Sequence, residues 1–592
     1  MLLYVRVLVL DWTGGIVMKK ILIVMLAATL AVSVMACGKK KAVVKTDSDK
    51  ETSVKGQQDT DEETTKEVTP TDDNGQLEPK SKDLKYLHMG IQTIAYQSNK
   101  RMDASETFDV PIFTDESEKR EYAKLAEAIE KYTQVRTSRR DESFQQLVEV
   151  GENDYDSYGG QLPYERLYEN SHMMFTRSDE NIVSCCIQDE EYLGGAHGGT
   201  FVSGVSFDTA TGKELTLGDV VKDRNQFLDL LQDRLKKEYA DDYDEFENAD
   251  EYFEKMKNNT ELDPAWYMDS ESVVVIFNEY DLGPFAVGWQ EVHMYFDEYA
   301  DSINTKYMTV PENYIIPLNQ SFTCKIDVDG DGSRDDFRII GGAQNSEEIY
   351  YNTVECNGKT LKLQSGAYNT KGFIVFCNNQ YYLMIFEDMA VENSNRVSVV
   401  DLKNMTCDEE RAAFVIQRIL YSESRTLEDR FLSIDNVISM INPEDMQFDS
   451  RMDMLSTYQG YRTYYMDKEG HFVPRDKVYY PNRKIELFTK QDISCELVDK
   501  DGKTVSQTTL PKNSAIKIVR TDGDTWADVQ LTSPEGNADA KNTDNTFIYD
   551  YNVNLYDEGE PIYRIEVNME SWPHTINGMN EEDVLQGTQY AG

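Results

Sequence analysis

Residues 38–82 contain almost no large apolar side chains and are rich in Lys, Thr, Asp, Glu, Gln and Ser. A segment of this composition cannot bury enough apolar surface to offset the conformational entropy that it would lose on folding. The sequence therefore predicts a flexible tether over 38–82 and folded structure that begins near Leu84. The chain of 592 residues is long enough for roughly three to four domains in all.

A short apolar run precedes the tether. Lys19 and Lys20 are followed by apolar residues 21–35, then by Ala36 and Cys37, which is the order of a signal peptide. The run is shorter than the roughly 20 apolar residues that a spanning helix needs. We therefore predict a signal peptide over 1–37, with 1–17 as an extension upstream of a natural start at Met18.

The last four residues of that segment, Val34-Met35-Ala36-Cys37, resemble the bacterial lipoprotein box. The resemblance implies that Cys37 is lipidated and becomes the mature N-terminus, and two or more acyl chains hold a protein stably at a membrane. The alternative is an ordinary signal peptide with a chance cysteine. On the first interpretation the protein is extracytoplasmic and anchored to the outer face of the cell membrane.

The charge of the chain limits its partners. It has 60 Lys and Arg against 107 Asp and Glu, a formal net charge of −47. Such a chain repels phosphate, and without a strong basic patch we expect no nucleic-acid partner. The same charge attracts cations and basic proteins. The acidic stretch 241–254 is interpreted either as a patch for a basic protein or as the solvated face of a helix.

Periodicity predicts an α+β domain over 83–305. Tyr122, Leu125, Ile129 and Tyr132 recur at helical spacing after Thr114-Asp115, and a second helix carries Phe227, Leu231 and Leu235 after Asp223. Strand-like runs surround both helices. The predicted fold class is thus α+β, with the two helices packed on strands.

Two β-rich domains are predicted after it, a β-meander domain over 306–442 and a C-terminal domain over 443–592. Asn357-Gly358 is a strong hairpin signal in the first. In the second, residues 510–519 and Trp526 resemble a bacterial SH3-type barrel, a kind of domain that often binds wall peptides. A generic β sandwich is the alternative.

The sharpest local motif is an Asp/Gly loop at 327–336 with the pattern D-x-D-x-D-G-x-x-D. Alternate carboxylates on a tight loop supply the oxygens that Ca²⁺ prefers. Arg338 stands where an EF-hand has its bidentate Glu, so this is not an EF-hand. The alternative is a hairpin turn without an ion. We predict a structural calcium site whose ligands are Asp327, Asp329, Asp331, Ser333 and Asp335.

Catalytic signatures are missing from the sequence. The run Gly194 to Thr200 contains His197, a natural proton carrier, but a lone His needs partners. There is no HExxH, GxSxG or GxxxxGK[ST] motif. The sequence contains no CxxC, and no pair of histidines has the spacing of metal ligands. No catalytic residue is therefore predicted, and the disulfide state is left open.

Three motifs in the α+β segment are similar to a known family. They are residues 194–198, residues 205–219 and residues 277–288, which read GGAHG, VSFDTATGKELTLGD and FNEYDLGPFAVG. Together they resemble the PdaC/RsiV-like extracytoplasmic domain over roughly 83–305. Phe285 departs from the family, which usually has Tyr there.

The resemblance implies an envelope-binding module. One branch of the family precedes a peptidoglycan deacetylase domain, and the other is the outer part of an anti-sigma factor that binds lysozyme. We expect a non-enzymatic binder of a cell-wall component or of lysozyme, with His197, Tyr280 and Phe285 as ligand-binding candidates. The alternatives are an envelope glycan hydrolase or deacetylase of unrecognised type, and a purely structural lipoprotein.

Overall fold

The structure is a computed structural model. It describes residues 81–590 with gaps at 85–86, 99–100, 114, 158–166, 195–197, 241–242, 261, 319–322, 345–349, 365–366, 390–393, 408–413, 418–441, 476, 533–545, 552–556, 558 and 571. It also describes the antiparallel pairing of β1 (Val9–Leu10) with β2 (Ile16–Val17). The predicted signal segment 18–37 with Cys37, the tether up to residue 80, and His197 lie outside the described residues.

The chain contains both helices and sheets, so the α+β class is confirmed in this coarse form. No helix in the described part of the chain is both long and apolar enough to cross a membrane. Five cysteines with described side chains are free thiols: Cys185, Cys186, Cys356, Cys377 and Cys495.

The first sheet has six strands, and a helical crossover links two of them. Asp115 caps α1 by accepting the amides of Ser117 and Glu118 at 2.8 and 3.0 Å. Leu125 and Ile129 of α2 are buried against the sheet, which confirms the first predicted helix. The helices connect the parallel strands β4 and β5, as such a pairing requires. The elements are β3 (Leu87–Ser98), β4 (Arg101–Phe113), α1 (Glu116–Glu121), α2 (Ala123–Ser157), β5 (Leu167–Ser178), β6 (Ile182–Tyr192) and β7 (Gly199–Asp208).

The sixth strand of this sheet comes from far along the chain. β29 (Thr546–Tyr551) pairs antiparallel with β3, and the sheet order is β29-β3-β4-β5-β6-β7. The residues of β29 lie within the segment 443–592 that the sequence assigned to a separate C-terminal domain. The predicted boundary at residue 443 therefore does not separate β29 from the first sheet. Strands can pair at any distance in sequence.

A helical layer and a three-stranded antiparallel sheet follow β7. Asp223 caps α4 through the amide of Gln226, and Phe227, Leu231 and Leu235 are buried, which confirms the second predicted helix. The elements are α3 (Leu217–Val220), α4 (Arg224–Glu238), α5 (Ala249–Asn258), β8 (Ala265–Met268), β9 (Ser272–Phe277), β10 (Gln290–Tyr295), α6 (Phe296–Tyr299) and α7 (Thr305–Met308). One core joins the helices to these strands.

The new sheet packs closely on the first one. A Cβ at Gly204 of β7 would lie 1.9 Å from the Trp266 carbonyl oxygen of β8, so only glycine fits there. The Thr176 hydroxyl of β5 donates to the Met268 carbonyl of β8 at 2.8 Å. These contacts set the position of β8, β9 and β10, and hence of the loop after β9.

The middle region is built from three β layers. A sheet in the order β11-β16-β17-β18-β19 packs one face on the meander β12-β13-β14-β15 and the other on β20-β21-β22. The predicted Asn357-Gly358 turn joins β14 to β15, and both residues have positive φ. The strands are β11 (Tyr314–Pro317), β12 (Thr323–Ile326), β13 (Asp335–Gln344), β14 (Tyr350–Cys356), β15 (Lys359–Gln364), β16 (Ala367–Cys377), β17 (Gln380–Met389), β18 (Ser394–Asp401), β19 (Phe414–Gln417), β20 (Met446–Met452), β21 (Tyr458–Met466), β22 (Phe472–Pro474) and β23 (Tyr480–Pro481).

The C-terminal strands form one sheet with a path order β26-β25-β30-β28-β27-β24-β33, and β31 and β32 extend it from β30. Its apolar side is a continuous core that includes Leu487, Ile516 and Val529. The elements are β24 (Glu486–Thr489), β25 (Ile493–Val498), β26 (Thr504–Leu510), β27 (Ala515–Thr521), β28 (Trp526–Leu531), β30 (Ile562–Asn568), β31 (Thr575–Ile576), β32 (Met579–Asn580), α8 (Glu581–Val584) and β33 (Leu585–Gln586). The SH3-type likeness stays a prediction.

Candidate functional site

The loop that joins β9 to β10 is held at its base by Asn278. The side-chain oxygen of Asn278 accepts the Val202 amide at 2.7 Å, and its side-chain nitrogen donates to the Val202 carbonyl at 2.8 Å. The side chain thus pairs with β7 as a neighbouring strand would. Within the loop, Asp281 accepts the Asn278 amide at 2.7 Å, and burial raises the pKa of Asp281 to about 6. These contacts give the loop one defined position.

Two aromatic side chains of this loop project into solvent. Tyr280 is 66% exposed and Phe285 is 42% exposed, and their ring centroids are 5.9 Å apart. Tyr280 also has a φ of +71°, an uncommon conformation for a side chain of this size. We call these two residues the aromatic pair. Aromatic residues that are held rigidly and exposed together are typical of protein-binding surfaces.

The aromatic pair lies beside exposed carboxylates from another part of the chain. The Asn248 amide donates to the Leu282 carbonyl at 2.8 Å, and a Cβ at Gly283 would lie 2.7 Å from the Glu245 carbonyl oxygen. Residues 245–251 therefore run against the loop, and we call them the acidic segment. Its exposed carboxylates belong to Glu245, Glu247, Asp250 and Glu251.

The structure also shows which way the aromatic residues of the acidic stretch 241–254 point. Phe246 and Phe253 are buried in the core under α4, and Tyr252 packs against that core. They are therefore not part of a surface patch, whereas the carboxylates face solvent. The combination of an exposed aromatic pair with the acidic segment is complementary to a basic protein surface. Neither interpretation of this stretch included the neighbouring aromatic pair.

Of the three ligand-binding candidates from the sequence, two come together. Tyr280 and Phe285 form the aromatic pair, while His197 lies outside the described residues. The sequence did not predict the acidic segment as part of this site, because its contact with the loop joins positions more than 30 residues apart. Its only sequence signal was the run of carboxylates itself.

A buried polar network lies one strand away and superficially resembles catalytic machinery. The Ser272 hydroxyl is 3.0 Å from His293 Nδ1, and His293 Nε2 is 2.7 Å from Glu291 Oε1. Burial alone would lower the pKa of His293, but the hydrogen bond and charge of Glu291 outweigh it and raise this pKa. Ser272 is fully buried and also bonded to Asp269, so no substrate reaches its hydroxyl. This network stabilises β9 and β10.

The predicted calcium loop joins β12 to β13, so strands flank it as expected. The carboxylates of Asp327, Asp329 and Asp335 each place an oxygen within 4.8 Å of the others. Gly330 and Gly332 have φ of +78° and +85°, which allows the chain to curl around these oxygens. Three converging carboxylates suit a hard cation. A second such group, Asp467, Glu469 and His471, was not predicted.

The other two predicted ligands, Asp331 and Ser333, form hydrogen bonds within the loop and are not part of this group of three carboxylates. The Asp331 carboxylate accepts the Ser333 amide at 2.8 Å, and the Asp331 amide itself donates to Asp327 at 3.1 Å. These bonds shape the turn. The structure thus gathers three members of the predicted set of five around one point.

The Asp/Gly loop also carries Arg334, which contacts residues of two different regions of the chain. Arg334 donates to Glu271 at 2.9 Å and to Asp297 at 2.7 Å, and its guanidinium lies 3.8 Å from the Tyr295 ring centroid. Glu271 in turn accepts the hydroxyls of Tyr314 and Tyr381 at 2.6 and 2.5 Å. We call this set of contacts the Arg334 joint. It connects the region of the aromatic pair with the middle β region.

Comparison with known proteins identifies the part of the chain that carries the aromatic pair. Residues 218–297 match the family model described as "Protein of unknown function (DUF3298)". The chain contains a DUF3298 domain. The matched range includes the acidic segment, the loop after β9 and the buried Ser272–His293 network. A comparison with curated proteins found no match.

Two solved structures are similar to this chain. A DUF3298 family member from Bacteroides fragilis NCTC 9343 is 17% identical, with a TM-score of 0.29, and the similarity covers 38% of this chain and 98% of that one. A DUF3298 family protein from Pseudomonas aeruginosa PAO1 is 12% identical, with a TM-score of 0.25, and covers 39% and 98% respectively. Scores this low carry no argument.

Proposed function

We propose that this chain is a lipid-anchored, extracytoplasmic envelope protein whose DUF3298 domain binds a basic protein, with lysozyme as the ligand to test first. The observation that supports this function is the exposed aromatic pair on a fixed loop beside the acidic segment. Aromatic anchors supply affinity, and the carboxylates steer a cationic partner toward them. The likeness of the surrounding motifs to the PdaC/RsiV-like family suggests the ligand. A cell-wall component is the second ligand to test.

Calorimetric titration of the purified chain with lysozyme at low and high salt tests this proposal. Any acidic protein attracts a basic one, and salt screens that general attraction. We expect one-to-one binding that persists at high salt and that weakens at least about tenfold in Tyr280→Ala and Phe285→Ala. Tyr280→Phe keeps the ring and should bind nearly as the native chain does.

Val505→Ser is the control, because Val505 is 63% exposed on β26, far from the DUF3298 domain in sequence. This variant should bind as the native chain does. Binding that vanishes with salt would refute lysozyme as a specific ligand. Salt-resistant binding that both alanine variants leave unaffected would refute the aromatic pair as its binding site. Peptidoglycan fragments would then be titrated against the same variants.

We also propose that the loop 327–335 binds Ca²⁺ in a structural role. Three carboxylates close together repel each other, so a bound cation should stabilise the fold. We expect CaCl₂ to raise the melting temperature of the native chain and to have no such effect on Asp329→Asn. Asp336→Asn is the matched control, since Asp336 is 87% exposed, lies in β13 directly after the loop and is outside the predicted ligand set. Equal calcium effects in all three proteins would refute the site.

A further inference from the structure

The C-terminal region exposes one very large apolar side chain. Trp572 lies between β30 and β31 and is 65% exposed. Single apolar residues at a surface are common, but an indole this exposed leaves at least one broad ring face in water. What sets Trp572 apart is the way in which the surrounding residues hold it.

Two aromatic rings brace the indole. The rings of His574 and Tyr590 lie 4.9 and 4.8 Å from it, centroid to centroid, at angles of 84° and 87°. Edge-to-face contacts of this kind are favourable. The indole therefore has a fixed orientation although most of its surface is exposed.

Both bracing residues are hydrogen-bonded to Glu581, whose side chain is buried. Tyr590 donates its hydroxyl to Glu581 at 2.7 Å, and the Glu581 amide donates to the His574 carbonyl at 2.9 Å. Glu581 is 2% exposed and His574 is 8% exposed. The carboxylate is thus occupied inside the protein and does not face a ligand.

The spacing of the rings restricts the ligand class. His574 and Tyr590 are 5.4 Å apart, so the three rings contact each other and leave no space between them for a quaternary ammonium group. An apolar peptide side chain would need a concave apolar pocket. A flat, rigid, exposed indole instead suits a flat ligand with an apolar face and polar edges.

Polar residues stand at the ends of the strands that flank the Trp572 loop. In the ladder of β30, β31 and β32, Thr575 pairs with Asn568 on one side and with Asn580 on the other. Both asparagines are exposed, and Thr575 is the residue after His574. Their amides can donate to and accept from hydroxyl groups.

We propose that Trp572 is the stacking platform of a carbohydrate site that binds a β-linked glycan. The C–H face of a pyranose ring would lie on the indole, and its equatorial hydroxyls would meet Asn568 and Asn580. This site lies on a different domain from the aromatic pair, and its test does not depend on that of the proposed function.

Calorimetric titration of the purified chain with cellotetraose and with tetra-N-acetylchitotetraose tests the site. We expect saturable binding of at least one of them, weakened at least about tenfold in Trp572→Ala. Trp572→Phe keeps a flat ring and should bind better than Trp572→Leu, which keeps only apolar bulk. Circular dichroism should be unchanged in all three variants because the side chain is largely exposed.

Two outcomes would overturn the proposal. One is the absence of saturable binding of either oligosaccharide to the native chain. The other is equal affinity of the native chain and Trp572→Ala. Fluorescence quenching gives a complementary measurement. Acrylamide should quench part of the tryptophan fluorescence, and the oligosaccharide that binds should protect that part from quenching. Unchanged quenching at saturation would also contradict stacking on Trp572.

Discussion

Replacing Arg334 with Met should loosen the contact between the DUF3298 domain and the middle β region. The guanidinium is only 13% exposed and Glu271 only 12%, so the change leaves a largely buried carboxylate without its cation. Breaking such a pair costs about 3–5 kcal/mol. Glu271 keeps the hydroxyls of Tyr314 and Tyr381, which places the expected loss near the lower end, at about 3 kcal/mol.

Hydrogen exchange measures this loss locally, which suits a multidomain chain whose overall unfolding need not be two-state. A loss of about 3 kcal/mol corresponds to roughly a 150-fold rise in the opening equilibrium. Amides of peptides that cover 290–299 and 314–317, on the two sides of the Arg334 joint, should therefore exchange about 150-fold faster.

Arg338→Met is the matched control. Arg338 lies four residues further along and also bonds a glutamate, Glu355, at 2.6 Å, but its side chain is 58% exposed. Exposed pairs contribute about 0–1 kcal/mol, so exchange at the joint should hardly change. Unchanged exchange in Arg334→Met, or an equal rise in both variants, would refute the role assigned to the joint.

Three further predictions concern the core. Burial raises the pKa of Glu106 to about 9, so the folded protein keeps a proton there that the unfolded chain releases above about pH 4.5. The free energy of unfolding should therefore fall as pH rises between these two values. Glu106→Gln should remove this fall, which urea titrations at pH 4 and pH 8 measure. Gly204→Ala should prevent folding or lower the free energy of unfolding by more than about 3 kcal/mol, measured by thermal melting. Gly218→Ala in α3 should be nearly neutral in the same measurement, since only the Thr216 hydroxyl approaches a Cβ there, at 3.8 Å. Asp528→Asn removes the fully buried partner of Arg520 and Arg564 and should cost about 3 kcal/mol in the same melts. An unchanged pH dependence in Glu106→Gln, equal melting temperatures of Gly204→Ala and Gly218→Ala, or a native melting temperature in Asp528→Asn would contradict the corresponding argument.

Local features of this chain were predictable because their causes are local. Asp115 and Asp223 precede apolar residues at helical spacing, and both cap helices whose apolar faces are buried. Asn357-Gly358 forms the expected turn, since both residues tolerate positive φ. The Asp/Gly motif lies between strands, where the carboxylates of Asp327, Asp329 and Asp335 converge. In each case neighbours within a few residues determine the conformation.

Tertiary structure alone decided which distant segments meet. The pairing of β29 with β3 joins residues more than 400 positions apart, and no local pattern in either strand names its partner. The approach of the acidic segment to the aromatic pair, the Arg334 joint and the rings that brace Trp572 depend on packing in the same way. Apolar burial is non-directional, so a sequence pattern states which face of an element is buried, while the shapes of all the other elements decide what covers it.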